Sequence, residues 1–432
     1  GTAIITPETK TKTKNRRVYK MKRKLISALL ATAMVVSSIT VYGASVKVPE
    51  DRVLTSVKEY SIAPGIKEKH ITTVDKDGNN QVQAYMAEID LKTSSVGMMA
   101  GYKNYDKTGK WGMQTVRDQA KAAEKATGKT IVAAINGDYF DMGTGQPWGS
   151  LVMGGDIVQT QNDHPYFAIM KDGTADCREA YEPLDDVVEA IGSPFFLVKD
   201  GKALEELAAD PYAMPRCAVG IKADGSVIIY EADGRQAPKS CGQSLYETAK
   251  QMEAMGCVEA LYLDGGGSAT FATKTEGTDS LEVKNSPSDG TERKVSSSLF
   301  IYSDAKADGE FDHATISPLE EVYTPGSTVQ FEATGVDSAG GKADLPKEAT
   351  FVLKDDSFGK IDGTTGQFVS NGTEGTVEEQ LKSGDNVVGS TTIEVRKPDS
   401  ITFVNDEVNL GFEEETDLGL TVKWNNRQVN YA

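Results

Sequence analysis

Short apolar runs broken by polar turns fill residues 46–302, and two stretches depart from that rhythm with helical spacing. Residues 115–125 read as an exposed helix. Ser244 with Glu247 forms a capping box, Leu245, Ala249 and Met252 share one face, and Gly256 closes the segment, so a second helix follows Ser244. Residues 131–135 are a strand candidate that runs into Asn136-Gly137-Asp138-Tyr139-Phe140. Another strand over 193–198 ends at the turn Asp200-Gly201, and 217–222 and 226–231 flank Asp224-Gly225, a hairpin signal. Residues 260–263 form a short buried strand that stops at Asp264-Gly265-Gly266-Gly267-Ser268. Mixed hairpins and helices predict an α+β or mixed α/β domain over 46–303, the candidate catalytic one.

Beyond Ser303 the helical period disappears, and Thr, Ser, Gly and Asp become frequent. Period-2 segments such as 328–333 and 390–395 are separated by turns at Gly326, Gly340-Gly341, Gly363, Gly375 and Gly389. This spacing predicts an all-β sandwich over 308–397. With Gly366-Gln367-Phe368 before Gly375-Thr376-Val377, it resembles a bacterial immunoglobulin-like domain. Residues 398–432 read as the start of a further β domain, apparently incomplete.

The first 45 residues behave differently. Lys22, Arg23 and Lys24 precede an uncharged, mostly apolar run over 25–41 that closes at Gly43 and Ala44. This is the pattern of a leader and secretory signal peptide over 1–43, too short and too interrupted by Ser37, Ser38 and Thr40 for a span of about 20 apolar residues. The expectation is a secreted or cell-surface bacterial protein with no stable membrane span after cleavage. The formal net charge of -18 is unevenly spread. The leader contributes +8, residues 46–302 contribute -11, and 303–432 contribute -15. A uniformly acidic mature chain argues against nucleic acid as a partner.

Cys177, Cys217, Cys241 and Cys257 include no CxxC pair. Two disulfides or four buried thiols remain open, although a helix between Cys241 and Cys257 disfavours that pairing. His70, His164 and His313 are too scattered for a zinc cluster, and no GxSxG elbow accompanies them.

Candidate chemistry lies where strands end in polar, glycine-rich turns. Asp264 precedes three glycines and Ser268, whose exposed backbone N–H groups are suited to an anion. Arg216 and Arg293 are guanidinium partners for phosphate. Asp138 supplies a second carboxylate for acid–base or nucleophilic work, and Tyr139 and Trp148 can stack on a sugar ring.

In order along the chain, Asn136-Gly137-Asp138-Tyr139-Phe140, Pro215-Arg216 with Gly220, Asp233-Gly234-Arg235, Leu263 through Ser268, and Asn285 through Arg293 resemble the phosphodiester glycosidase family over about 56–302. The resemblance implies hydrolysis of a sugar-1-phosphodiester at the anomeric C–O bond. It implies Asp264 and Asp138 as catalytic carboxylates. It implies Arg216, Arg293, Asn136, Gly265, Gly266, Gly267, Ser268, Asn285, Tyr139 and Trp148 as substrate- or phosphate-binding groups. The expected partner is a phosphodiester-linked sugar or polysaccharide, including a cell-envelope polymer. No cofactor is required, and a divalent cation, Ca2+ or Mg2+, is left open. Rival readings are a non-catalytic module binding phosphorylated glycans and a metal-dependent phosphodiesterase that cuts P–O.

Overall fold

The structure, a computed structural model, describes residues 46–160, 163–403 and 419–431. The predicted leader lies outside the described residues. The expected α+β or mixed α/β domain is instead mostly β. Among the described residues there are only two α-helices, α1 (Val116–Thr127) and α2 (Leu245–Ala254). The second helix starts at its predicted Ser244–Glu247 capping box, and at the start of the first the Thr115 side chain accepts from Asp118 N–H. Two strongly signalled helices gave the sequence a helical accent that the many short, weakly signalled strands outweigh.

Three sheets build the first region, and every named strand pair within them is antiparallel. An eight-stranded sheet runs in the order 52–63, 66–75, 82–89, 227–232, 216–222, 257–263, 196–199 and 202–203. A five-stranded sheet places 130–136 between 271–273 and 297–303, and a second five-stranded sheet is centred on 187–192. The main core fills the space between sheets with Val219, Leu261 and Leu263 from the large sheet, Ile135, Leu299 and Ile301 from the second, and Leu151, Phe167 and Ile191 from the third.

Strand alternation leaves a second apolar face on each of two sheets, and a helix covers each one. Leu245, Ala249 and Met252 of α2 pack on Ala218, Tyr230, Ala260 and Tyr262. Val116, Ala120 and Ala123 of α1 pack on Ile131, Ala134 and Phe300. Phe140 joins this second cluster, so it is a core ring.

From His313 onward the described residues are all β apart from a single 3-10 turn, with a core of Ile316, Val329, Phe331, Phe368, Val377, Leu381 and Ile393. The expected continuous strand over 328–333 is broken. Thr328–Gln330 pairs with Gln367–Ser370, while Glu332–Val336 pairs with His313–Ser317 in another sheet. Phe331, 1% exposed, marks the point where the chain changes sheets. Strands 400–403, 420–424 and 427–430 extend the seven-stranded sheet through Glu321–Tyr323. The two regions touch through the Lys58–Glu321 ion pair, a His313–Glu276 contact of 3.2 Å and a Gly277 N–H to Gly340 C=O bond of 3.0 Å.

Candidate active site

Antiparallel register brings the expected site residues to one end of the first region. Cys217 faces Leu263 and Arg216 faces Ala232 in the large sheet, while Ser298 faces Asn136 in the second sheet. The turns after Asn136, Ala232 and Leu263 and the segment before Arg216 therefore emerge together. Asp264 N–H donates to Gly137 C=O at 2.8 Å, which ties the two sheets at this point.

Asn136 is wholly buried and works as a brace. Its amide donates to Asp264 C=O at 2.6 Å, and its carbonyl oxygen accepts from Thr270 N–H at 2.9 Å and Cys217 Sγ at 3.3 Å. Asn285 is similar: it accepts from Phe271 N–H and donates to Ala269 C=O. Both hold backbone in place, so neither presents a free amide to a ligand. All four cysteines are free thiols.

Asp138 is 2% exposed, and Gly149 N–H donates to its Oδ2 at 2.6 Å. A Cβ on Gly192 would lie 2.4 Å from that oxygen, so only glycine leaves room for the carboxyl. Its Oδ1 is buried with no hydrogen-bond partner. Burial pushes the carboxyl up to about 7, and the nearby Asp264 charge adds to this against the pull of the Gly149 and Tyr139 N–H groups. Burial also pushes the half-buried Asp264 up to about 6, opposed by a hydrogen bond from Ser268 and by the Arg293 charge. Two carboxyls thus titrate near neutrality within one site, a combination suited to proton transfer.

The glycine turn differs from the expected row of free donors. Gly266 N–H is consumed by Pro215 C=O at 2.9 Å, Ser268 N–H by Gly265 C=O at 3.2 Å, and Gly265 hydrogen-bonds the Asp264 carboxylate. The turn's lack of side chains instead makes room for guanidinium groups. A Cβ on Gly267 would stand 2.0 Å from Arg293 Nη2. Arg293 is held by Asp289, with Nε and Nη2 at 2.8 and 2.7 Å from Oδ2, and its Nη1 reaches Ser268 Oγ at 3.4 Å.

Arg216 does not join it at the surface. It is 1% exposed and donates to Gln243 C=O, Tyr212 C=O and the Tyr262 hydroxyl at 2.9, 2.7 and 3.2 Å. Tyr262 in turn packs on the backbone of Gly265, where a Cβ would fall 2.4 Å from its hydroxyl. Arg216 therefore supports the turn from one layer behind.

Trp148 is 49% exposed and stands edge-on to Tyr139, with ring centroids 5.3 Å apart. Tyr139 meets Tyr262 edge-on, and Tyr262 stacks on Phe195 at 5.0 Å. The exposed Trp148 ring thus lies in the chain segment after Asp138, while Arg293 lies against the glycine turn after Asp264. Among the described residues no group of three His, Cys, Asp or Glu side chains is placed to hold a metal ion. A cavity of about 1120 Å³ opens elsewhere, between the two regions, and shares no lining residue with this site.

Residues 129–302 match the phosphodiester glycosidase family model. Every candidate site residue placed above falls in that stretch. The mouse N-acetylglucosamine-1-phosphodiester alpha-N-acetylglucosaminidase is 29% identical over 161 residues, 32% of this chain and 31% of the mouse protein. An SPbeta prophage-derived uncharacterized protein of Bacillus subtilis is 39% identical over 98 residues, 22% of this chain and 14% of that protein. This chain thus spans about a third or less of the length of both relatives. The solved catalytic domain of the zebrafish N-acetylglucosamine-1-phosphodiester alpha-N-acetylglucosaminidase, auto-inhibited by its pro-peptide, aligns over 62% of this chain and 92% of that one at 22% identity and a TM-score of 0.44.

Within residues 129–302, sequence reasoning from the residues alone passed over Asp233, Arg235 and Tyr262. The first two stood in the family-like string Asp233-Gly234-Arg235 without an assigned role. Tyr262 looked like one more apolar strand position, and only its contact with Arg216 distinguishes it.

Proposed function

We propose that this chain is an exported hydrolase that cleaves the anomeric C–O bond of sugar-1-phosphodiesters in envelope or extracellular glycans, with residues 1–43 as its export signal and an immunoglobulin-like sandwich over 308–397. The pairing of two carboxyls pushed toward neutral pH with a guanidinium-flanked turn carries this reading. A phosphate monoester is a good leaving group, so stabilising its charge matters more than protonating it, and Arg293 with Ser268 is placed to do that. Asp264, ionised above about 6, serves as nucleophile or as base toward water at an oxocarbenium-like carbon. Asp138 retains a proton up to about 7 and supplies it to an oxygen of the reacting centre. The ring of Trp148 receives the sugar.

Turnover of a sugar-1-phosphodiester in 18O-labelled water tests this bond assignment. Label in the released sugar is expected. Label in the phosphate would instead indicate P–O cleavage and remove the glycosidase mechanism.

A further inference from the structure

After Ala232 the chain leaves the large sheet as Asp233-Gly234-Arg235, and Arg235 takes a φ of +61°. A long side chain in the left-handed region costs conformational energy that surrounding contacts must offset. Those contacts are specific. Asp233 accepts Ser286 N–H at 2.9 and 3.1 Å, and Gln236 exchanges hydrogen bonds with Ser286 at 2.6 and 2.8 Å. Gln236 and Ser240 also pair through both backbone bonds at 3.0 Å. The loop carrying Arg235 is thereby laced to the 285–293 loop that carries Arg293.

The two guanidinium groups flank consecutive glycines. A Cβ on Gly266 would lie 3.3 Å from Arg235 Nη2, and one on Gly267 would lie 2.0 Å from Arg293 Nη2. Their partners differ. Arg293 is tethered by Asp289, and buried Arg216 donates to two carbonyls and a hydroxyl and lies 3.9 Å from Asp210. Exposed Arg235 makes one hydrogen bond, to the Met214 sulfur at 3.2 Å, which is a weak acceptor. No carboxylate pairs with it among the described residues, although acidic side chains outnumber basic ones 64 to 46 in this chain. Its remaining donors keep the planar fork that fits phosphate oxygens.

We propose that Arg235 is the second half of an anion clamp, holding one non-bridging phosphate oxygen while Arg293 and Ser268 hold the other. The inference rests on the glycosidase reading and deepens it by naming the group that gives the site its preference for a phosphodiester over a neutral glycoside. Asp233 acts as a positioning residue that keeps the two arginine loops in register.

The full chain, Arg235→Ala and Arg235→Lys are compared in three measurements: turnover of a sugar-1-phosphodiester, inhibition by inorganic phosphate, and calorimetric titration with inorganic phosphate. Arg235→Ala is expected to raise both KM and the phosphate dissociation constant about tenfold or more, with Lys restoring part of the loss and the melting temperature unchanged. Arg235→Ala with wild-type KM and phosphate affinity would overturn the clamp. A wild-type protein that binds phosphate through Arg235 but turns over no phosphodiester would sink the glycosidase reading and leave the clamp standing. A wild-type protein with no affinity for phosphate sinks the clamp.

Discussion

Asp138 and Asp337 occupy comparable places in the two regions: each is buried just past the end of a strand. Their surroundings send them in opposite directions. Burial pushes Asp337 up, but the N–H groups of Asp308, Gly309, Ala339 and Gly341 donate to it at 2.8 to 3.1 Å and hold its carboxyl below the ordinary range. Asp138 has the Gly149 donor on one oxygen and none on the other, and burial carries it to about 7. A turn aspartate is structural when backbone donors saturate it and chemically poised when they do not. The arginines differ in the same way: buried Arg216 donates to two carbonyls and a hydroxyl, while exposed Arg235 reaches only the weak Met214 sulfur among the described residues.

Replacing each aspartate is the most direct way to break the comparison. Asp138→Asn is expected to lower turnover by about a hundredfold or more, in line with removal of a general acid. In the wild type, kcat/KM should rise as Asp264 ionises through about 6 and fall as Asp138 loses its proton through about 7. The two limbs belong to the coupled pair. Asp138→Asn should erase the alkaline limb, and a pH–rate profile that keeps it would detach Asp138 from proton transfer.

Asp337→Ala should do the reverse, costing about 2–3 kcal/mol of stability while leaving turnover per folded molecule intact. Urea unfolding followed with a probe in the β tail, paired with an activity assay, measures both effects. A loss of turnover without a loss of stability would contradict the structural role.

The smallest expected effect comes from Glu379, a buried tail carboxyl whose two oxygens have no partner. Burial lifts it from 4.5 to about 8. Between those values the native state binds a proton that the unfolded state has released, so stability falls as pH rises through that window. Glu379→Gln should therefore flatten the decline and stabilise the protein at pH 8.5 by about 1–2 kcal/mol. An unchanged pH dependence of the melting temperature would show that the carboxyl finds donors in solution.

Several elements were legible because their causes are local. The Ser244–Glu247 box lies within one helical turn of the groups it satisfies, and the Asp224-Gly225 hairpin needs only its own turn chemistry. The strand ends at Asn136 and Leu263, and the glycine turn after Asp264, could be read the same way. The sheet-switch at Phe331 could not, because an alternating pattern looks identical whether the strand stays in one sheet or changes to another. The mostly β character was obscured similarly: short strands are stabilised by partners distant in sequence, and helices announce themselves with caps.

Residue chemistry and turn positions were thus determined by the sequence alone: two aspartates and a triple glycine after strand ends, and several arginines in the loops and strand starts around them. Tertiary structure decided how each of them is placed. It buried Arg216 behind Tyr262, brought Arg235 beside Gly266 through the Asp233–Ser286 lacing, and left one oxygen of Asp138 without a donor. Burial and donor count depend on residues more than 200 positions apart, as the Thr273–Glu68 bond across 205 residues illustrates, and no local pattern encodes them.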